Sequence, residues 1–169
     1  MREENERAAC AEEINELLVR YRRMKRELGS PRSGDEPSRG PGHALETGNA
    51  GNHDAEETNL HALRIKLVRL QNDYLRRHLR GGRLLVTAGV QSLGADFTLA
   101  ALAAVRSFNT CTQDNDPYGE HDFGAIEVSG RRVFFKIDAY DEALRYGSED
   151  PALPEKTVRV LTIMLAEEY

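Results

Sequence analysis

The stretch Phe123-Gly-Ala-Ile-Glu-Val-Ser-Gly-Arg-Arg-Val-Phe-Phe-Lys-Ile-Asp138 decides the fold. Two runs rich in β-branched and aromatic residues flank Ser129-Gly130, a composition typical of a β-hairpin with a two-residue turn. If Val128 lies opposite Arg131, one face of the hairpin is apolar, whereas a shift of one residue would bury charged side chains. The predicted apolar face consists of Ile126, Val128, Val133, Phe135 and Ile137.

The same register gives the other face its own pairs. Glu127 lies opposite Arg132 and Phe123 opposite Lys136, and at the open end His121 would face Asp138. A carboxylate beside an imidazole fixes its tautomer and suits it to proton transfer near neutral pH. We therefore take His121 and Asp138 as the hypothetical catalytic pair.

Helices are expected on either side of a short strand. Leucines at steps of three and four predict a helix over about residues 60–80, ended by Gly81-Gly82, and an alanine-rich run predicts another over about 94–108. Residues 83–88 resemble a short buried strand. Residues 157–169 fit either a strand or a helix, and we favour the helix. The predicted fold class is α+β, with a small antiparallel sheet against helices.

The N-terminal part is predicted to form a separate unit. Residues 2–28 show an apolar stripe at helical spacing, with acids early and bases late, so we expect a tethered amphipathic helix over 1–28. The segment 29–58 has six glycines, three prolines and one large aliphatic residue, which predicts a disordered linker. The globular domain would then cover 59–169. The stripe needs a cover, either the domain itself or a second copy of the chain through helix 2–28.

The stretch Asp114-Asn-Asp-Pro-Tyr-Gly-Glu-His-Asp-Phe-Gly124 holds the densest polar chemistry in the chain. Its first half suits a turn in which short acids cap backbone amides, and its second half leads into the hairpin. We expect a partner or ligand to be bound here. The predicted binding residues are Asp114, Asn115, Asp116, Tyr118, Glu120, Asp122 and Lys136.

Metal chemistry receives weaker support from the same stretch. The acids start like a calcium loop but lack its twelfth-position acid, and zinc is disfavoured because no paired histidines or cysteine pair accompany His121. We predict no cofactor. If an ion binds, Mg²⁺ or Mn²⁺ is expected on carboxylate oxygens. The ligands would be Asp114, Asp116, Glu120 and Asp122.

Charge and composition limit the remaining classes. Seven cations oppose only Asp73 between His61 and Arg83, although the net charge of the chain is −5. This basic helix 61–83 leaves nucleic acid as an alternative partner. Two cysteines, Cys10 and Cys111, are too few for a disulfide framework. With no long apolar run and no secretory signal, we expect a cytoplasmic protein that does not enter the membrane.

Three motifs resemble a bacterial family described as domain of unknown function 3768. They are the stretch from Asp114 to Gly124, Lys136-Ile-Asp-Ala-Tyr-Asp141, and Arg159-Val-Leu-Thr-Ile-Met-Leu-Ala-Glu-Glu-Tyr169. The resemblance covers roughly residues 60–169. Ala139 stands where the family usually shows tyrosine. The resemblance carries no established activity with it. It implies that the protein is encoded by an accessory gene of a plasmid or another mobile element.

These observations favour a binding or inhibitory module over an enzyme. The acidic loop 114–122 would dock on a protein partner, and the family resemblance implies interference with a host defence system or plasmid maintenance. The first alternative is a small metal-dependent hydrolase or nuclease that uses the acidic loop and His121. The second is a nucleic-acid-associated protein that uses the basic helix.

Overall fold

The computed structural model describes residues 1–29, 50–113 and 115–169. Its helices lie before and between the strands, and two short 3₁₀ turns, Pro154–Lys156 and Ala166–Glu168, flank the last strand. In chain order the elements are α1 (Arg2–Gly29), α2 (Ala50–His78), β1 (Arg83–Val86), α3 (Ala88–Ser92), α4 (Ala95–Ser107), β2 (Phe123–Val128), β3 (Arg131–Tyr140) and β4 (Val158–Leu165).

The strands form one mixed sheet in the order β1-β4-β3-β2. β4 pairs antiparallel with β3, which pairs antiparallel with β2, whereas β1 runs parallel to β4. The predicted α+β class is confirmed, with a sheet that is mostly antiparallel.

The hairpin has the predicted register. Val128 lies opposite Arg131 and Phe123 opposite Lys136. Ser129 and Gly130 have φ values of 49° and 75°, the two left-handed positions that a tight hairpin turn with right-handed strand twist requires. The predicted apolar face points into the core, where Ile126 is partly buried and Val128, Val133, Phe135 and Ile137 are buried.

The helix favoured for the C-terminal segment is wrong. Val158–Leu165 is strand β4, which lies between β1 and β3. Its odd-numbered residues Leu161 and Ile163 join the core beneath the helices, while Val160 and Met164 on the other face are also at most 7% exposed. A strand buried on both faces has an almost continuous apolar sequence, so it lacks clear alternation and also fits a helical pattern.

β1 was predicted to be buried and is an exposed edge strand. Among the described strands it pairs with β4 alone, and Leu84 and Leu85 are 38% and 54% exposed. Three apolar residues in a row, Leu84 to Val86, suggested burial from the sequence, but an edge position leaves one side of the strand open to solvent.

α3 and α4 cover the inner face of the sheet. Four side chains from these helices and from α2 are buried against this face: Val90, Ala101, Val105 and Leu75. α4 lies within the predicted range, and its alanines let the helix pack closely. The predictions did not include α3.

α1 and α2 form a second layer with its own core. The predicted stripe of α1 packs on α2 and on residues 152–153. Glu13 of α1 pairs with Lys66 of α2, and Glu3 of α1 pairs with Arg106 in the last turn of α4. The stripe is thus covered within the chain, and self-association through α1 stays a prediction. The buried residues of this core are Ile14, Leu18, Tyr21, Leu63, Leu67, Val68, Ala152 and Leu153.

The boundaries of the predicted linker change. α2 begins at Ala50, about ten residues before its predicted start, so residues 50–58 are helical and the linker prediction is wrong for them. Residues 30–49 lie outside the described part, and the predicted linker there stays a prediction. Among the described residues, no helix combines the length and apolarity that crossing a membrane requires.

Candidate functional site

The loop between α4 and β2 is held by its own side chains. Asn115 accepts a hydrogen bond from the backbone N–H of Thr112 (2.8 Å) and donates one to the carbonyl of Thr110 (2.8 Å). Such side-chain bonds replace the backbone pairs that an irregular segment lacks. Asn115 thus fixes the first half of the loop, and Asp114 lies outside the described residues.

Asp116 fixes the second half. Its carboxylate is buried, and its Oδ1 accepts the backbone N–H groups of Glu120 (3.0 Å) and His121 (3.2 Å). Two amide donors on one oxygen offset part of the cost of burying a charge. Asp116 therefore closes the turn as predicted for a capping acid.

Residues 117–119 form the tip of this closed turn. Gly119 has φ 67°, a left-handed value that favours glycine, and it lies close to Ile65 of α2. Tyr118 beside it is 76% exposed. The turn therefore presents an aromatic side chain to solvent from a backbone that is held underneath.

α2 anchors the loop through two neighbouring residues. Asn72, which is 3% exposed, donates a hydrogen bond to the carbonyl of Glu120 (2.9 Å). One residue later, Asp73 lies with Oδ2 3.0 Å from Nδ1 of His121. The loop is thus joined to a long helix rather than only to the hairpin.

The predicted His121–Asp138 pair is wrong. The backbone carbonyl of Asp122 accepts the N–H of Ile137 (2.7 Å), and one residue earlier the φ of 54° at His121 takes the chain out of the extended conformation. Asp138 instead pairs with Lys136 at 2.8 Å. A residue with positive φ cannot continue an extended strand, so extending the register past β2 gave the wrong partner.

A buried arginine holds Asp73. Arg76, 1% exposed, donates to Oδ1 of Asp73 (2.8 Å) and to the carbonyl of Val105 (2.8 Å). Burial alone would raise the pKa of Asp73, but the hydrogen bonds from Arg76 and His121 and the charges of both outweigh it and lower this pKa. Asp73 therefore stays ionised and fixed in position.

Cys111 completes a cluster that we call the Cys111–Asp116–His121 cluster. One ligand atom from each of the three side chains lies within 4.8 Å of the others. Nε2 of His121 faces Oδ2 of Asp116 at 3.6 Å. Burial, followed by the negative charges of Asp116 and Asp73, raises the pKa of the Cys111 thiol. The thiol is therefore protonated at neutral pH and is not an activated nucleophile.

The other predicted binding residues point elsewhere. The Glu120 carboxylate lies 3.6 Å from Arg64, and burial raises its pKa although Arg64 opposes the shift. Burial, the largest cause, and nearby acids also raise the pKa of Asp122. Among the described residues of the predicted magnesium set, only Asp116 belongs to the cluster. Glu120 and Asp122 lie outside it, and the magnesium set stays a prediction.

Sequence reasoning missed Asp73, Arg76 and Cys111. Asp73 carried a signal, since it is the one acid among seven cations in its segment. Cys111, Asp116 and His121 also follow one another at intervals of five residues, a spacing that matched no known motif. Neither signal revealed that α2 would cross beneath the loop.

The basic helix is partly occupied by internal contacts. Arg76 is buried, Arg64 faces Glu120, and Lys66 pairs with Glu13 at 3.0 Å. This arrangement does not favour a continuous surface for nucleic acid, which needs unpaired cations along one face.

Comparison with known proteins gives a family resemblance. Residues 86–168 match the model of a family described as "Protein of unknown function (DUF3768)", so the predicted resemblance is confirmed. The match begins after α2, later than the predicted start near residue 60. No curated protein matches the chain, and no solved structure matches it.

Proposed function

We propose that this protein is a binding module that docks on a protein partner through residues 117–119. The single observation that carries the proposal is Tyr118, 76% exposed at the tip of a turn that buried polar side chains hold from below. The sequence predicted docking through the whole acidic loop, and the proposal keeps only its tip. Asp116 accepts backbone amides of the loop and Glu120 faces Arg64, so their carboxylates already have partners within the protein.

The physical argument is preorganisation. A loop that is already ordered loses little conformational entropy on binding, and a tyrosine supplies a large amphipathic surface with few rotatable bonds. Tyrosine is also enriched among the residues that dominate interface energies. Asn115, Asp116 and Asn72 provide the order, and Tyr118 provides the contact surface.

The arrangement supports binding more than hydrolysis. A hydrolase that uses Mg²⁺ or Mn²⁺ needs several carboxylates around one open position. One carboxylate oxygen of Asp116 accepts two backbone amides, and the Glu120 carboxylate faces Arg64. From the family resemblance we extend the proposal to an inhibitory role of an accessory protein against a bacterial host defence system.

The test compares two tyrosines. Tyr146 is 73% exposed on a different loop, so Tyr146→Ala is a matched control for Tyr118→Ala. A partner is first isolated with the full-length protein and purified, and its affinity for each variant is then measured by calorimetry. We expect Tyr118→Ala to weaken binding by about 30-fold, since interface hot spots are worth about 2 kcal/mol, and Tyr146→Ala to change it little. Equal affinities for both variants would refute docking through the tip.

A further inference from the structure

Three different donor atoms converge beneath the tip of the loop. They are the sulfur of Cys111, a carboxylate oxygen of Asp116 and a ring nitrogen of His121, all within 4.8 Å of one another. Thiolate, imidazole and carboxylate are the side chains that zinc binds in proteins. We propose that Cys111, Asp116 and His121 bind one zinc-class transition-metal ion, and that Asp73 positions His121 for it.

The distances suit a small rearrangement. Zinc bonds of about 2.0–2.3 Å place the ligand atoms of a tetrahedral site roughly 3.3–3.8 Å apart. The separation of up to 4.8 Å must therefore shrink by about 1 Å. All three ligands belong to one loop, and Cys111 is only partly buried, so side-chain rotation of Cys111 can supply much of this change.

His121 is oriented as a metal ligand. The Nδ1–H of His121 donates a hydrogen bond to Oδ2 of Asp73 (3.0 Å). The lone pair of Nε2 on the same ring is then directed towards Asp116 and the interior of the cluster. Histidine ligands of metals usually donate their second ring nitrogen to a carboxylate in this way. Asp73 cannot easily swing away, because buried Arg76 holds its other oxygen.

Asp116 also has one oxygen available. Its Oδ1 accepts two backbone amides, whereas its Oδ2 lies 3.6 Å from Nε2 of His121, which is too long for a good hydrogen bond. A cation between these two groups would bind both. Asp116 would then act as a monodentate ligand while its other oxygen continues to close the turn.

The donor set determines the class of metal. A sulfur–nitrogen–oxygen set suits Zn²⁺ and its substitute Co²⁺, whereas Mg²⁺ and Ca²⁺ prefer oxygen alone. This inference revises the sequence-based expectation, which disfavoured zinc because neither paired histidines nor a cysteine pair accompanies His121. Three protein ligands leave a fourth tetrahedral position for water. The Cys111 thiol gives up its proton to solvent when the metal binds.

The first experiment asks whether the metal-free full chain binds Zn²⁺ and Co²⁺. Calorimetry is expected to give one Zn²⁺ per chain, and the Co²⁺ complex is expected to show a thiolate-to-cobalt charge-transfer band. Cys111→Ser should abolish that band, whereas Cys10→Ser, the matched control, should keep it. A band that survives Cys111→Ser, or is lost equally in Cys10→Ser, would overturn the site, as would absence of binding to the wild type.

The second experiment tests the positioning role of Asp73. Asp73→Asn keeps the shape of the side chain, and we expect zinc affinity to fall by about 10–100-fold while the cobalt charge-transfer band remains. His121→Asn, which tolerates the left-handed backbone, should lose a ligand and more affinity. Circular dichroism of each metal-free variant checks that it is folded. Unchanged zinc affinity in both folded variants would overturn the proposal, whatever becomes of docking through Tyr118.

Discussion

At the scale of single residues, Asp73 and Arg76 decide how the loop is held. Arg76 is almost fully buried, and its charge is met by Asp73 and by the Val105 carbonyl. Its guanidinium also lies within 6 Å of the ring centroids of Phe108 and Phe135 (5.9 and 5.7 Å). The pair therefore links α2 to both α4 and the hairpin.

Removing Asp73 should leave a buried positive charge without its partner. We expect Asp73→Ala to lower the free energy of unfolding by about 3–5 kcal/mol, the usual cost of breaking a buried ion pair. Arg77→Ala is the control, because Arg77 is half exposed and lies 4.0 Å from Asp73. It should cost less than about 1 kcal/mol. Urea unfolding measures both, and equal effects would contradict this role for Asp73.

The residue scale also shows where prediction from sequence ends. The capping roles of Asn115 and Asp116 followed from their side-chain chemistry and their position beside Pro117. The partner of His121 could not be predicted in this way, because the alternation of residues in a strand does not reveal a left-handed φ at His121. Asp73 is 48 residues away from His121, so only the packing of α2 brings the two together.

At the scale of elements, patterns with one buried face were predictable and the others were not. The hairpin alternates between core and outside, so its register followed from the sequence. β4 is buried on both sides and was mistaken for a helix. β1 has the composition of a buried strand but lies at the edge, because its place in the sheet depends on β4.

Tyr21 helps to hold α1 against the rest of the protein, and it should lose its proton only at unusually high pH. Tyr21 is 3% exposed and donates to Asp150 (3.1 Å). Burial, followed by the charge of Asp150 and this hydrogen bond, raises the pKa of Tyr21 from 10.0 to about 12. A raised pKa in the folded state means that stability is full below the unfolded pKa and falls as pH rises towards the folded pKa.

We therefore expect the wild type to lose stability between about pH 10 and 12 through Tyr21, by up to about 2–3 kcal/mol. Tyr21→Phe removes the ionisable group, so its stability should fall less steeply over the same range. Unfolding free energies measured at several pH values test this expectation. Parallel pH profiles for the two proteins would contradict it.

At the scale of the whole molecule, α2 is the element that both cores share. Leu75 belongs to the core under the sheet, and Leu63 and Leu67 belong to the core under α1. Part of the basic charge of α2 is used between these layers, since Arg64 faces Glu120. Asp73 of the same helix holds His121. The proposed site therefore lies where the helical layer meets the sheet.

The central claim is that Asp73 of α2 holds His121 by Nδ1 and leaves Nε2 directed towards the cluster. Long-range ¹H–¹⁵N NMR of the histidine ring tests it most directly. The account predicts a proton on Nδ1 in the neutral ring, a clear change in both ring nitrogen shifts in Asp73→Asn, and almost none in Asp138→Asn. A proton on Nε2, or a spectrum that responds to Asp138→Asn and not to Asp73→Asn, would contradict it.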